Sequence, residues 1–186
     1  MWVDEVKFIS DKPGKNQERK GLGGGGVSTS TLIELVENAN HSIAIQTPYL
    51  ITTAMSEALF SDAVKRGVKI KILTNSLAST DNLEAFSSYQ KNRNKLLETG
   101  VQIFEFKPDA SVRKKLMTGE LHKHENKFPI FGLHAKTMVL DDSITVIGTF
   151  NLDPRSANLN TECITIIKSK NVSQKVLIGI NEEFKP

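Results

Sequence analysis

The segment His134-Ala135-Lys136-Thr137-Met138-Val139-Leu140-Asp141 places an imidazole two residues before an ammonium group, with a carboxylate following after four more residues. Gly148-Thr149-Phe150-Asn151 and Asn160-Thr161-Glu162 come next in the chain. A neutral imidazole can attack phosphorus and carry the product as a phosphohistidine, which divides one hard substitution into two easier ones. A lysine beside it neutralises the non-bridging phosphate oxygens, whose charge must be stabilised in the transition state. Thr149 and Asn151 offer further hydrogen bonds to the same oxygens. Side chains two apart on a strand share a face, so a strand over 133–140 would project His134 and Lys136 together. The chemistry this set suits is attack on a phosphodiester.

A nucleophilic imidazole keeps one nitrogen free, and a carboxylate on the other fixes its tautomer and orientation. Glu162 is the candidate for that role. It opens an otherwise apolar run, where a carboxylate is expensive to bury without a partner. Asp141 has two readings. It belongs to the catalytic set by motif, yet its odd offset from His134 and its place at an expected turn suit it equally to holding a hairpin.

The elements that would position these groups follow from periodicity and punctuation. Val6 to Ile9 reads as a short strand, followed by a lysine- and glycine-rich loop from Asp11 to Gly26. The spacing Gly-x-Gly-x-x-Gly occurs within Gly21 to Gly26, but a dinucleotide site needs a strand directly before it, and a flexible loop is the preferred reading. Helices are expected over Ser28 to Asn40, capped by Ser28, Thr29 or Ser30, over Ala54 to Arg66, and over Asp81 to Thr99. Strands are expected over Ser42 to Thr47, Val68 to Thr74 and Val101 to Phe106. This alternation favours a largely parallel sheet with helices on its faces. Residues 107–132 read as irregular. Leu133 to Leu140 and Ile144 to Gly148 are apolar runs joined by a hairpin turn at Asp141-Asp142-Ser143. Glu162 to Lys168 reads as a strand and Val172 to Ile180 as a closing helix. The expected organisation is a linker and loop over 1–27 leading into a single domain over 28–186.

His134-x-Lys136-x4-Asp141 with Gly148-Thr149-x-Asn151 resembles the HKD signature of the phospholipase D superfamily. The resemblance implies an α/β/α sandwich with a mixed, largely parallel sheet. It implies His134 as nucleophile or general acid, Lys136, Thr149 and Asn151 as phosphate ligands, and Glu162 as the group orienting His134. The family more often has Ser at the Thr149 position, and Thr keeps the hydroxyl. Gln46-Thr47-Pro48-Tyr49, Asn75 to Asp81 and Phe150 to Ser156 resemble the C-terminal half of bacterial cardiolipin synthases of the C type, which implies phosphatidyl transfer on a phospholipid at a membrane surface. No cofactor and no metal are implied, since Lys and His supply the charge a metal would supply.

The family mechanism uses two HKD motifs, one histidine attacking and the other protonating the leaving group. His41, His122 and His124 have Ile43, His124 and Asn126 two positions later rather than lysine. The second motif is therefore expected from an N-terminal half or from a homodimer mate, as in the single-motif endonucleases of the superfamily. A catalytically silent half that docks onto a partner is the third reading. The net charge of +3, from 24 basic and 21 acidic residues among 186, is too mild to argue for nucleic acid by itself. Arg113-Lys114-Lys115 and His122-Lys123-His124-Glu125 read as solvated loop rather than as a lipid patch or a metal site. The acidic N-terminus is unlike a signal peptide, and no apolar run is long enough to cross a bilayer. The expected location is the cytoplasm, or the periphery of a bacterial inner membrane.

Overall fold

The computed structural model of the chain describes residues 3, 5–15, 25–108 and 132–185. Residues 21–24 of the glycine-rich loop, the basic run 113–115 and the histidine-rich run 122–125 lie outside the described residues. In chain order the elements are β1 (Glu5–Ser10), α1 (Val27–Asn38), β2 (Ser42–Gln46), α2 (Ala54–Lys65), β3 (Lys69–Asn75), α3 (Leu83–Glu98), β4 (Gln102–Phe106), β5 (Thr137–Leu140), β6 (Ile144–Gly148), α4 (Pro154–Asn158), β7 (Cys163–Lys168) and α5 (Lys170–Glu183).

The strands form one seven-stranded sheet in the order β1-β7-β6-β5-β2-β3-β4. β2, β3 and β4 are parallel, and the other ladders are antiparallel. The sheet is therefore mixed, as expected, but parallel pairing is confined to the stretch where helices and strands alternate. After β4 the chain enters the middle of the sheet and continues as a hairpin, which pairs antiparallel by construction. A second correction concerns the N-terminus. Glu5–Ser10 pairs with β7 from Glu5↔Lys168 to Ser10↔Cys163, so this part of the expected lead-in is an edge strand of the same sheet.

The two faces of the sheet are buried unequally. Ile43, Ile45, Ile70, Ile72, Leu140, Val146 and Ile164 point to the face covered by α1, α2 and α3, packing against Leu32, Val36, Phe60, Phe86 and Leu96. Each large aliphatic side chain so buried contributes about 1.5–3 kcal/mol. Ala44, Leu73 and Val139 alternate onto the other face, where Ile180 and Phe184 of the C-terminal segment cover them.

Helix starts follow local chemistry. Thr53 and Ser56 form a capping box on α2, Asn82 caps α3, and Asp153 caps α4 with Pro154 in its first turn. α1 departs from expectation. Ser28, Thr29 and Ser30 lie inside it, and its N-cap is Gly26, which has no side chain to accept. The carboxylate of Asp11 does the capping from outside, accepting from Ser28 N at 3.0 Å and Ser28 Oγ at 2.6 Å.

Candidate active site

Strand direction gathers the site. β2 and β3 end, and β5 begins, on one edge of the sheet, because β5 runs antiparallel to β2. By the same rule β6 ends beside the start of β7, and β1 ends beside it too. The segments 47–49, 75–81, 134–136, 149–153 and 162 therefore converge on that edge from across the sheet.

His134 is exposed and lies ahead of β5 rather than within it. Its neighbour Leu133 is buried and clamped by Asn75 at the end of β3. Asn75 Nδ2 donates to the Leu133 carbonyl at 2.9 Å, and Leu133 N donates to Asn75 Oδ1 at 2.7 Å. Asn75 Oδ1 also accepts from Ser79 Oγ at 3.1 Å. The segment leading into His134 is thus fixed by a side chain that pairs both of its backbone groups, a requirement for holding a reacting group in place.

Lys136 Nζ lies 3.2 Å from His134 Nε2 and donates to the His134 carbonyl at 3.0 Å. An ammonium group only donates, so a hydrogen bond here requires the tautomer whose lone pair is on Nε2. Burial lowers the Lys136 pKa below its ordinary value, against the opposing pull of Glu162, Asp81 and Asp153. The ammonium is thus partly stripped of water and ringed at longer range by carboxylates.

Thr149 follows β6 at a close approach. A side chain at Gly148 would run into the Cys163 carbonyl, so only glycine permits this packing. Thr149 N donates to that carbonyl at 3.0 Å, and Thr149 Oγ1 accepts from Cys163 N at 3.1 Å. The same hydroxyl donates to Glu162 Oε2. Glu162 is 4% exposed, as its setting in an apolar run led one to expect, but its hydrogen-bond partner is Thr149 rather than His134. Asn151 Oδ1 is buried and has no hydrogen-bond partner among the described residues. A buried amide oxygen in that state is costly, and it can be met only by a donor, so a phosphate oxygen would have to be held by the Nδ2 group of the same amide.

Asp141 is separated from this set. It sits at the far end of β5, beside the start of β2. Oδ2 accepts from Asn40 N at 2.8 Å, and Oδ1 accepts from His41 N at 2.7 Å and Ser42 N at 3.0 Å. Burial raises its pKa, but these backbone donors outweigh that and hold it below the usual carboxylate value. Its place in the expected catalytic set gives way to the hairpin-holding reading, because all its donors are backbone groups at the opposite edge of the sheet.

Three groups at the site were not expected individually. Tyr49 OH donates to Asp81, at 3.1 Å and 3.2 Å from its two oxygens. Burial and the Asp81 carboxylate push the Tyr49 pKa up, so it stays a donor. Asp153 has its pKa raised by burial, despite accepting from Ser156 N at 2.8 Å. The Asp-Pro pair at 153–154 was the available signal for Asp153. Tyr49 and Asp81 lay in the segments 46–49 and 75–81 that carry the resemblance, but their pairing is long-range and had no signal. Beside the site, Phe150, Leu152 and Asp153 also form one wall of a largely apolar cavity of about 520 Å³, whose other walls are α1 and α2 with Leu32, Val36, Met55 and Leu59.

The family model described as "Cardiolipin synthase, PLD-like domain" matches residues 32–184. Cardiolipin synthase C of Escherichia coli K12 is 32% identical over 179 residues, covering 95% of this chain and 36% of that protein. The chain thus spans about a quarter to a third of the length of the curated relatives it matches, from 24% to 36%. Among solved structures, the phospholipase D family member Nuc from Salmonella typhimurium aligns with a TM-score of 0.64 at 16% identity, covering 96% of this chain and 94% of that one. NucT from Helicobacter pylori aligns with the same TM-score at 14% identity, again covering 96% and 94%. With its mixed sheet, flanking helices and His-x-Lys edge, the chain belongs to the phospholipase D superfamily, in its cardiolipin synthase, PLD-like domain family.

Proposed function

We propose that this chain supplies one half of a phospholipase D-type active site that transfers a phosphatidyl group through a phosphohistidine at His134, in cardiolipin synthesis or phospholipid headgroup exchange. The observation that carries the proposal is the exposed His134 Nε2 held 3.2 Å from Lys136 Nζ. In this reading Nε2 attacks phosphorus, and the bond to the leaving alcohol oxygen breaks. That oxygen takes its proton from the histidine of a second HKD motif. An acceptor hydroxyl then displaces the imidazole, giving its own proton to the same acid–base partner. Lys136 and the Asn151 amide N–H hold the phosphate oxygens; Thr149 joins them as a third donor when its hydroxyl proton turns from Glu162 to the phosphate, and Glu162 holds that hydroxyl until then. The second motif comes from an N-terminal half or from a homodimer mate; cardiolipin synthase C, of which this chain spans 36%, is long enough to hold another half of this size.

The apolar cavity beside Asn151 supports a lipid in preference to a polynucleotide, because its walls can receive an acyl chain leaving the bilayer without exposing it to water, whereas they offer a polynucleotide's charged backbone little. A second reading, a homodimeric phosphodiesterase acting on nucleic acid, has one observation in its favour. Nuc and NucT match this chain over nearly their whole lengths. Turnover of phosphatidylglycerol vesicles and of single-stranded DNA, measured together with native mass, separates the two. Lipid turnover supports the first reading, and DNA turnover by a dimer with lipid untouched replaces it with the second. A monomer inert on both supports a silent half that docks onto a partner.

A further inference from the structure

Asp11 and Lys15 form an ion pair at 2.7 Å whose side chains are 0% and 3% exposed. Removing two charges from water costs about as much as their attraction returns, so a buried pair is weak evidence for stability and invites another explanation. Its partners supply one. Asp11 N donates to the Glu162 carbonyl at 2.8 Å, and Glu162 N donates back to Asp11 Oδ2 at 3.2 Å. Lys15 Nζ donates to the Ser156 carbonyl at 2.7 Å, while Ser156 Oγ accepts from Asn151 N at 3.2 Å. The same Asp11 carboxylate caps α1 through Ser28. One buried pair therefore ties down the backbone of Glu162 directly and that of Asn151 through Ser156.

We propose that Asp11 and Lys15 are positioning residues, which set Glu162 and Asn151 in register with each other and with the start of α1. The inference rests on the functional reading above for its catalytic consequence but not for its geometry. Glu162 and Asn151 lie on different segments, one opening β7 and the other ahead of α4, and no hydrogen bond joins them. The shared reference point is the Asp11–Lys15 pair. Misplacement of a reacting constellation by about 1 Å costs up to about 100-fold in rate.

The test uses the full chain with Asp11→Asn, Lys15→Met and Lys15→Arg. The first readout needs no turnover: the backbone amide resonances of Glu162 and Asn151. Both move in Asp11→Asn. Asn151 moves in Lys15→Met and returns towards its original position in Lys15→Arg. The second readout is kcat and KM on bis(p-nitrophenyl) phosphate. Here kcat falls about 10- to 100-fold in Asp11→Asn and Lys15→Met, with KM within about twofold, and Lys15→Arg restores most of the loss. If Asp11→Asn does not fold, the two Lys15 variants decide. Unmoved amides overturn the inference, as does activity that falls only in proportion to the folded fraction. A wild-type chain without turnover is the outcome for a half-site lacking its second motif, and the amide shifts then decide the positioning role by themselves.

Discussion

In the proposed function phosphate binding turns on Lys136, whose surroundings then fix how that binding depends on pH. Burial favours the neutral amine, while Glu162, Asp81 and Asp153 favour the ammonium, and burial prevails. The ammonium is the form that holds phosphate. Its lowered pKa means that this form is lost at lower pH than for an ordinary lysine. Affinity for inorganic phosphate, followed by calorimetry, should therefore begin to fall with rising pH below 10.5, and Lys136→Arg should carry that alkaline limb out of range. Lys136→Met should weaken binding at least about tenfold, the worth of a hydrogen bond to a charged group. An alkaline limb unchanged in Lys136→Arg would assign it to another group. His134, Lys136, Thr149, Asn151 and Glu162 were legible because their spacing and types carry chemistry locally. The Tyr49–Asp81 pair and the Asn75 clamp on Leu133 were not. Each joins positions far apart in the chain, and neither Asn75 nor Asp81 has a neighbour in sequence that explains it.

At the scale of elements, the β5–β6 hairpin aims the site, and Asp141 holds it. Asp141 and Asp142 both have positive φ, at 50° and 54°, and Ser143 N donates to the Leu140 carbonyl at 3.1 Å, the pattern of a tight twisted turn. The Asp141 carboxylate then fastens this turn to the connection between α1 and β2. Asp141→Ala should cost about 1–2 kcal/mol in urea unfolding, the worth of a carboxylate cap, while turnover per folded molecule is kept. The folded pKa of Asp141 is depressed, so its contribution is present above the unfolded value of 3.8 and is lost as pH falls through the lower folded one. Asp141→Asn should remove that part of the acid dependence. A selective loss of kcat in a fully folded Asp141 variant would return it to the catalytic set. The turn was legible from three small polar residues between apolar runs. The capping of α1 was not, because its acceptor lies on the far side of the glycine-rich loop, which helix-start rules do not reach.

For the whole molecule, the proposed lipid substrate rests on the sheet's edge and the apolar cavity taken together. The alternation of helices and strands in the first half made the α/β class readable. Of the antiparallel second half only the β5–β6 hairpin was readable, since the pairing of β7 with β1 joins the two ends of the chain. Nor could spacing reveal the cavity, which exists only where α1, α2 and the 150–158 segment meet. Met55 is 59% exposed at the cavity wall, so a charge can be placed there without opening the core. Met55→Asp should lower turnover of phosphatidylglycerol vesicles about tenfold, in line with about 1.5 kcal/mol or more of lost apolar contact, and leave bis(p-nitrophenyl) phosphate unaffected. Equal losses on both would place the acyl chain elsewhere.

The central claim is a covalent phosphoryl intermediate on one imidazole. It is tested most directly by quenching the assembled enzyme during turnover of phosphatidylglycerol, without acid, and mapping the adduct by peptide mass. The account predicts a phosphatidyl adduct on His134, with adduct and turnover both absent in a folded His134→Ala variant. Full turnover by that variant, or an adduct carried by a different residue of this chain, would contradict it.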